Sequence, residues 1–433
     1  MRLGAIVTSD ADTTTPGRKS SVAEVLLVFL RLGLTSFGGP VAHLGYFREE
    51  FVTRRKWLDE RAYADLVALC QFLPGPASSQ VGLAVGLSRA GYAGALAAWT
   101  GFTLPSAVAL VLFAWGVSAW SGAAASPWIH GLKVAAVAVV AQAVLGMMRA
   151  LAPDRGRATL AVAAAIVVLG FPTAWGQVGA IVLGGLAGLT LLPRPEIPAD
   201  HPVMPLCVTR TAGWVAIALF LALLTGLPLL AAGTGDKTVA LADSFYRTGS
   251  LVFGGGHVVL PLLQAEMVPR GWVGNDAFLA GYGAAQAVPG PLFSFAAYLG
   301  AVIGGRWTAA LCLVAVFAPS FLLVVGVLPF WEELRSRVWA RSALRGVNAA
   351  VVGLLLAALY HPVWTAGITG ASDFAIAISA FLALFMWRAP PWLVVMACAL
   401  AAGGVATLGD RAADFAPARS LLRVLDALPL LGS

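Results

Sequence analysis

The sequence predicts an all-α polytopic membrane protein built from two inverted-topology repeats with broken or re-entrant helices, joined by an extra transmembrane helix. Three observations predict it. Hydrophobic residues fill 59% of 433 positions and charged residues 11%, with a mean hydropathy of +0.84, far from soluble composition. Apolar runs recur at the length of roughly 20 residues that a spanning helix needs. One pattern also occurs twice. Arg31, Gly33 and Phe37-Gly38-Gly39 lead to Gln71 and Pro74-Gly75-Pro76; Arg247, Gly249 and Phe253-Gly254-Gly255 lead to Gln286 and Pro289-Gly290-Pro291. Order, residue types and spacing agree, with a one-residue slip near Trp57 and Trp272, so the pattern reads as an internal duplication.

The elements follow in order. Residues 1–21 are polar, lack the apolar stretch of a cleavable signal, and read as a cytoplasmic tail, leaving the first helix to direct insertion. The first repeat, 22–192, opens with the apolar segment Val22 to Gly39. A polar, charged stretch from Val41 to Asp65 follows, then a second segment, Leu66 to Leu87. Pro74-Gly75-Pro76 breaks that segment, since proline removes a backbone donor and clashes with the preceding turn. Helices are expected from Tyr92 to Gly116, Gly131 to Met148, Ala158 to Phe171 and Gln177 to Leu192. Residues 193–239 hold a proline-rich linker and the connecting helix, Gly213 to Leu230. The second repeat, 240–408, follows the same plan: Ser244 to Gly255, a polar stretch, Phe278 to Ile303 broken at Pro289, Trp307 to Phe330, Leu344 to Leu359, Phe374 to Trp387 and Trp392 to Leu408. Residues 409–433 form a tail.

Lysine and arginine placement sets orientation. The stretch after the first Gly-Gly carries Arg48, Arg54, Arg55, Lys56 and Arg61, and its counterpart only Arg270. The later loop Val117 to His130 carries none, whereas its counterpart carries Arg335, Arg337, Arg341 and Arg345. Equivalent loops therefore belong on opposite sides, the trace of an inverted repeat. The remaining basic loops fit a cytoplasmic N-terminus and an external C-terminus, best if the broken segments enter and leave on one side. Trp57, Trp272, Trp339 and Trp392 suit interfacial anchoring.

The net charge of +7 rests on few charges, so it sets topology and gives no nucleic-acid footprint. Cys70, Cys207, Cys312 and Cys398 are scattered without zinc or redox spacing and read as small core residues. No Gly-x-Ser-x-Gly element with a partner histidine, no paired intramembrane aspartates and no His-Glu-x-x-His site occurs, which argues against a membrane-embedded enzyme.

The strings Phe37-Gly38-Gly39-Pro40, His43-Leu44-Gly45-Tyr46, Arg54-Arg55-Lys56-Trp57-Leu58 and Gln71-Phe72-Leu73-Pro74-Gly75-Pro76, with Ser78-Ser79-Gln80, resemble the chromate ion transporter family. So do Phe253-Gly254-Gly255-Gly256-His257 and Val288-Pro289-Gly290-Pro291, and the match over both halves looks like the long, two-domain form. The resemblance implies a bacterial inner-membrane exporter of chromate that confers chromate resistance, with sulfate or another divalent oxyanion as the alternative substrate. It implies no cofactor and no metal. The partners expected are that oxyanion and the lipid bilayer, with no nucleic acid, and the long form is compatible with a homodimer.

A divalent oxyanion needs donors and positive potential in place of its hydration. Broken helices expose backbone N–H groups and a positive dipole end. The candidate binding residues are accordingly Arg31, Ser36, Phe37, Gly38, Gly39, Gln71, Pro74, Gly75, Pro76, Ser78 and Ser79 in the first copy. Their partners are Arg247, Phe253, Gly254, Gly255, Gln286, Pro289, Gly290, Pro291 and Ser294 in the second. The alternative is that the breaks are packing kinks. Arg31 and Arg247 lie in apolar segments, where arginine is costly and by default marks a functional site; each could instead snorkel or bond backbone carbonyls. Gln71 and Gln286 could donate to the anion or tie a hairpin together. His43, His257, Lys133, Glu50 and Glu266 are candidates for coupling or gating, against interfacial histidines, an interfacial lysine and solvated glutamates.

Overall fold

The computed structural model describes residues 20–119, 126–193, 208–253 and 255–414. The N-terminal tail up to residue 19, most of the proline-rich linker with Arg194 and Cys207, Gly254, and the tail from residue 415 onward lie outside them. Every regular element among the described residues is helical.

Helix α1 (Val22–Thr35) begins where the Ser21 side chain accepts the Glu24 N–H, and it stops at Ser36 ahead of Gly38 and Gly39, both with positive φ. At 14 residues it reaches only about 21 Å, short of the roughly 30 Å hydrocarbon core. Helix α2 (Gly39–Arg48) runs into a π-helical turn, Glu49–Arg54. Helix α3 (Glu60–Phe72), capped by Asp59, ends at the Pro-Gly-Pro break. Helix α4 (Ala77–Ala119) is two arms folded about a non-helical Ala90-Gly91, pressed so close that a Cβ at Gly86 would lie 2.3 Å from Gly94 O.

Both broken segments of the first repeat are re-entrant. Arg55 Nη1 meets Glu24 Oε1 at 3.2 Å, so the chain leaves α2 on the face where α1 entered. Ser20 N donates to Arg89 O and the Arg89 guanidinium lies over Trp57, so the first arm of α4 returns to that same near face after α3. The second arm of α4 then crosses to the far face. Helices α5 (Ser126–Leu151), α6 (Arg155–Gly170) and α7 (Ala174–Thr190) complete the repeat, and α8 (Arg210–Thr234) connects it to the second.

The second repeat copies this plan. Helices α9 (Lys237–Leu251) and α10 (Val259–Met267) form one broken segment. Helix α11 (Asn275–Ala287) and α12 (Phe295–Gly304), with a 3-10 turn at Leu292–Ser294, form the other. Gly305 folds α12 onto α13 (Arg306–Val327) with φ 81 and ψ -160, close to the 63 and -156 of Gly91. Helices α14 (Trp331–Arg335), α15 (Val338–Ala358), α16 (Thr365–Gly367), α17 (Ala371–Phe385) and α18 (Pro391–Asp414) close the chain. Among the described residues, five stretches are long and apolar enough to cross a membrane: Ala77–Gly116, Pro127–Leu151, Arg210–Thr234, Arg306–Arg335 and Val338–Gly367.

The halves are interlocked and inverted. Helix α15 packs on α6 and α7 of the first repeat, while α5 packs on α17 and α18 of the second. Small residues permit the approach: a Cβ at Gly346 would meet Gly184 O, and a Cβ at Gly131 would lie 2.6 Å from Cys398 O. The start of α5 lies by the segment after α15, since Lys133 O is 3.0 Å from where a Gly367 Cβ would sit. The turn after α5 faces the start of α15, with Arg345 3.9 Å from Asp154. Equivalent helices therefore run in opposite directions, as the loop charges predict.

The structure corrects three expectations. The stretch Val41 to Asp65, read as polar, is largely helical, because Phe47, Phe51 and Trp57 pack into a buried cluster with Phe29. Trp57 is accordingly no interfacial anchor. It is 8% exposed, stacked on Phe51 and covered by Arg55 and Arg89. Glu50 and Glu266 are not solvated; both are buried in ion pairs. By contrast Cys70, Cys312 and Cys398 are buried core thiols, in line with their sequence context.

Candidate oxyanion site at the crossed helix breaks

The four breaks meet through reciprocal contacts. Gly75 N donates to Val252 O at 2.6 Å, and Gly290 N donates to Ser36 O at 2.9 Å. Ser36 and Val252 hold equivalent positions, as do Gly75 and Gly290, so each Pro-Gly-Pro turn is bonded to the Gly-Gly break of the other repeat. Glycine is required at both turns: φ is 123 at Gly75 and 101 at Gly290, a region L side chains avoid. A Cβ at Gly75 would lie 2.5 Å from Ser320 Oγ, and one at Gly290 would lie 2.9 Å from Ser106 Oγ. The Gly-Gly breaks also face each other, with Gly256 against Pro40 and Gly39 towards His257 Nε2.

At these breaks α2, the first arm of α4 and the helical turns leading into α10 and α12 all begin, so their unpaired N–H groups and positive dipole ends converge. The side chains around them are buried and short of partners. Ser36 Oγ, Ser79 Oγ, Gln80 Oε1, Thr103 Oγ1 and Ser320 Oγ have none, although buried polar atoms are normally bonded. Gln80 Nε2 closes the first turn by donating to Pro74 O at 2.6 Å. His43, 1% exposed and thus no interfacial histidine, has Nδ1 3.4 Å from Ser78 Oγ and packs edge-on to Phe102. His257 Nδ1 lies 2.9 Å from Tyr282 Oη. Such a lining of hydroxyls, amides and helix N-termini can hold an anion without a cationic side chain.

The remaining sequence candidates sit elsewhere. Arg31 is on the exposed face of α1 beside exposed Leu27 and Leu34, and its carbonyl accepts Thr35 Oγ1. Arg247 is engaged by two buried carboxylates, Asp243 at 2.8 Å and Glu266 at 3.2 Å, and Arg270 pairs with Glu266 from outside. Glu50 is held by Arg54 and Arg55. Lys133 pairs with Asp276 across the repeats on the far face. Gln71 is exposed, Phe37 packs towards Trp392, Phe253 borders the main core, Gly255 has φ 147, and Ser294 Oγ donates to Pro291 O. Gly254 lies outside the described residues.

Ser320 and Thr103, which line the breaks, escaped the sequence reading, as did Ser106, which packs under Gly290 with its hydroxyl already bonded to Thr103 O. The signal was present: Pro105-Ser106 and Pro319-Ser320 recur at matching positions of the two repeats. A separate cavity of about 260 Å³ opens at the repeat interface, lined by residues of α6, α7, α10 and α15, including Gln177 and Gln264, and by His361 in the turn after α15.

Comparison with known proteins gives concordant matches. The family model described as Chromate transporter matches residues 23–189 and again 239–403. A chromate transport protein of Pseudomonas aeruginosa is 30% identical over 354 residues, 80% of this chain and 82% of the relative. A probable chromate transport protein of Synechococcus elongatus is 25% identical over 78% of this chain and 84% of the relative. An uncharacterized transporter of Bacillus subtilis is 30% identical over 166 residues, 37% of this chain and 82% of its own length. No solved structure matches.

Proposed function

Because the chain belongs to the chromate transporter family, we propose that it exports chromate, binding the dianion where the broken helices cross and releasing it by alternating access of the two interlocked halves. The observation that carries this reading is the reciprocal bonding of each Pro-Gly-Pro turn to the opposite Gly-Gly break, surrounded by buried polar atoms without partners. That two relatives are named chromate transport proteins supports chromate as cargo.

Orientation follows from charge. Arg55, Arg89, Arg210, Arg335 and Arg345 lie towards the near face, through contacts with Glu24, Trp57, Glu333, Asp65 and Asp154, whereas the far face has Lys133 and Arg270 in ion pairs. The near face is then cytoplasmic in a bacterial inner membrane, and exported chromate confers resistance. Outward movement of a dianion runs down an inside-negative potential, worth about 2.3 kcal/mol per charge per 100 mV. The test is uptake of labelled chromate into inside-out vesicles, with sulfate as competitor. Saturable uptake above that of vesicles lacking the protein is expected; equal uptake in both would sink the reading, and stronger competition by sulfate than by unlabelled chromate would reassign the cargo.

A further inference from the structure

The Gly-Gly and Pro-Gly-Pro breaks of the first repeat, together the first break, and those of the second repeat, the second break, share a backbone but not a lining. At four equivalent positions the first has Ser36, His43, Ser78 and Gln80 where the second has Val252, Val259, Phe293 and Phe295. The hydroxyls that both could offer are also used differently. Ser294 Oγ donates to Pro291 O at 2.7 Å and Ser106 Oγ donates to Thr103 O at 2.9 Å, so each is already committed. Their equivalents, Ser79 Oγ and Ser320 Oγ, have no partner and are 3% and 0% exposed. Ser320 is directed at the turn that starts α4, 2.5 Å from where a Cβ at Gly75 would be. Leaving a buried donor unmade costs about 1–3 kcal/mol, a cost that a bound anion would remove.

We infer that the anion binds at the first break alone, on the N-terminal turn of α4, and that Ser320 of the second repeat is one of its ligands. This rests on the transport reading above and makes the halves unequal. The first repeat supplies the free N–H groups of Ala77, Ser78 and Ser79 with the Ser79 hydroxyl, and the second closes the site with the Ser320 hydroxyl. The ligand class is a tetrahedral divalent oxyanion, which offers separate oxygens to donors from both sides. Gln80 Oε1 faces no donor and is placed for a water or the O–H of a protonated ion. The second break, lined by Phe293 and Phe295, is an apolar counterpart that braces the first through Gly290 N and Ser36 O.

Serine-to-alanine variants of the full chain separate the two hydroxyls. S320A removes an oxygen with no protein partner, so the melting temperature without anion stays level or rises; S106A breaks a hydrogen bond and lowers it. The expected transport result is the reverse: S320A raises KM for chromate in inside-out vesicles about tenfold or more and loses the anion-dependent rise in melting temperature, whereas S106A stays within about twofold of wild type. An S320A KM within twofold of wild type, or an equal rise in S106A, overturns the inference while leaving transport intact. A wild-type protein that neither moves chromate nor is stabilised by chromate or sulfate overturns the transport reading, and this inference with it.

Discussion

The first and second breaks are the same backbone device with different polar contents, and setting them side by side separates what builds the protein from what it carries. Both turns use a left-handed glycine between prolines and donate to the opposite repeat. Only the first surrounds its helix start with polar atoms left unpaired on both sides, Ser79 Oγ and Ser320 Oγ. Symmetry of the main chain therefore reports on assembly, and asymmetry of the side chains is what the inferred one-sided anion site rests on.

The largest effect should follow from attacking what the breaks share. Gly75→Ala and Gly290→Ala each force an L side chain into a left-handed backbone, about 1–2 kcal/mol, and into the serine opposite, about 1–3 kcal/mol of overpacking. Both variants are expected to lose chromate uptake to background and to lower the melting temperature in detergent. A Gly290→Ala protein with wild-type stability and uptake would break the equivalence of the two turns.

Exchanging what the breaks do not share comes next. Gln80→Phe deletes the bond to Pro74 O and gives the first break the lining of the second, so chromate uptake should fall about tenfold or more with the protein still folded. The reciprocal change, Phe295→Gln, buries an unpartnered amide among Phe278, Tyr282 and Tyr298 and should lower stability by about 1–3 kcal/mol with a smaller fall in uptake. Equal loss of uptake in the two, at equal expression, would restore symmetric roles.

A third contrast lies beside the breaks. Glu50 and Glu266 are equivalent residues, each holding an arginine four positions on, Arg54 and Arg270. Glu266 also holds the nearly buried Arg247, 16% exposed, whereas Glu50 holds Arg55, 29% exposed. Glu266→Gln should therefore cost about 1.5–3 kcal/mol, the range for a hydrogen bond to a charged group. Glu50→Gln should cost less, because Arg54 and Arg55 can turn towards water. Melting temperatures of the two variants check the order, and a larger drop for Glu50→Gln would show that burial of the arginine is not what sets it.

Much of this was legible in the sequence, for definable reasons. Glycine and proline act locally on the backbone, so the duplicated Gly-Gly and Pro-Gly-Pro breaks and their helices could be read from spacing. Loop arginines respond to the membrane as a whole, so inversion could be read from reciprocal charge. What escaped depended on which residues far apart in the chain come together. The stretch holding Phe47, Phe51 and Trp57 looked like a loop because its charges are conspicuous, and only the fold shows Arg55 covering Trp57 and pairing with Glu24. Ser320 was missed as a site residue for the same reason: its Pro-Ser pair repeats in the sequence, but it lies inside an apolar helix and acquires meaning only opposite Gly75.

The smallest effect belongs to the residue that looked most functional in one dimension. Arg31 and Arg247 occupy the same register, but Arg247 is enclosed by Asp243 and Glu266, whereas Arg31 faces outward with Leu27 and Leu34. An outward arginine on a helix too short to span can extend its stem to the headgroup region, so its charge need not meet the anion. Arg31→Gln is expected to leave the KM for chromate within about twofold, while Arg247→Gln strands the buried Asp243 carboxylate, leaves Glu266 to Arg270 alone, and lowers stability markedly. A tenfold rise in KM for Arg31→Gln at unchanged melting temperature would mean that the anion passes along the outer face of α1, and the approach path would then have to be drawn on that side of the first repeat.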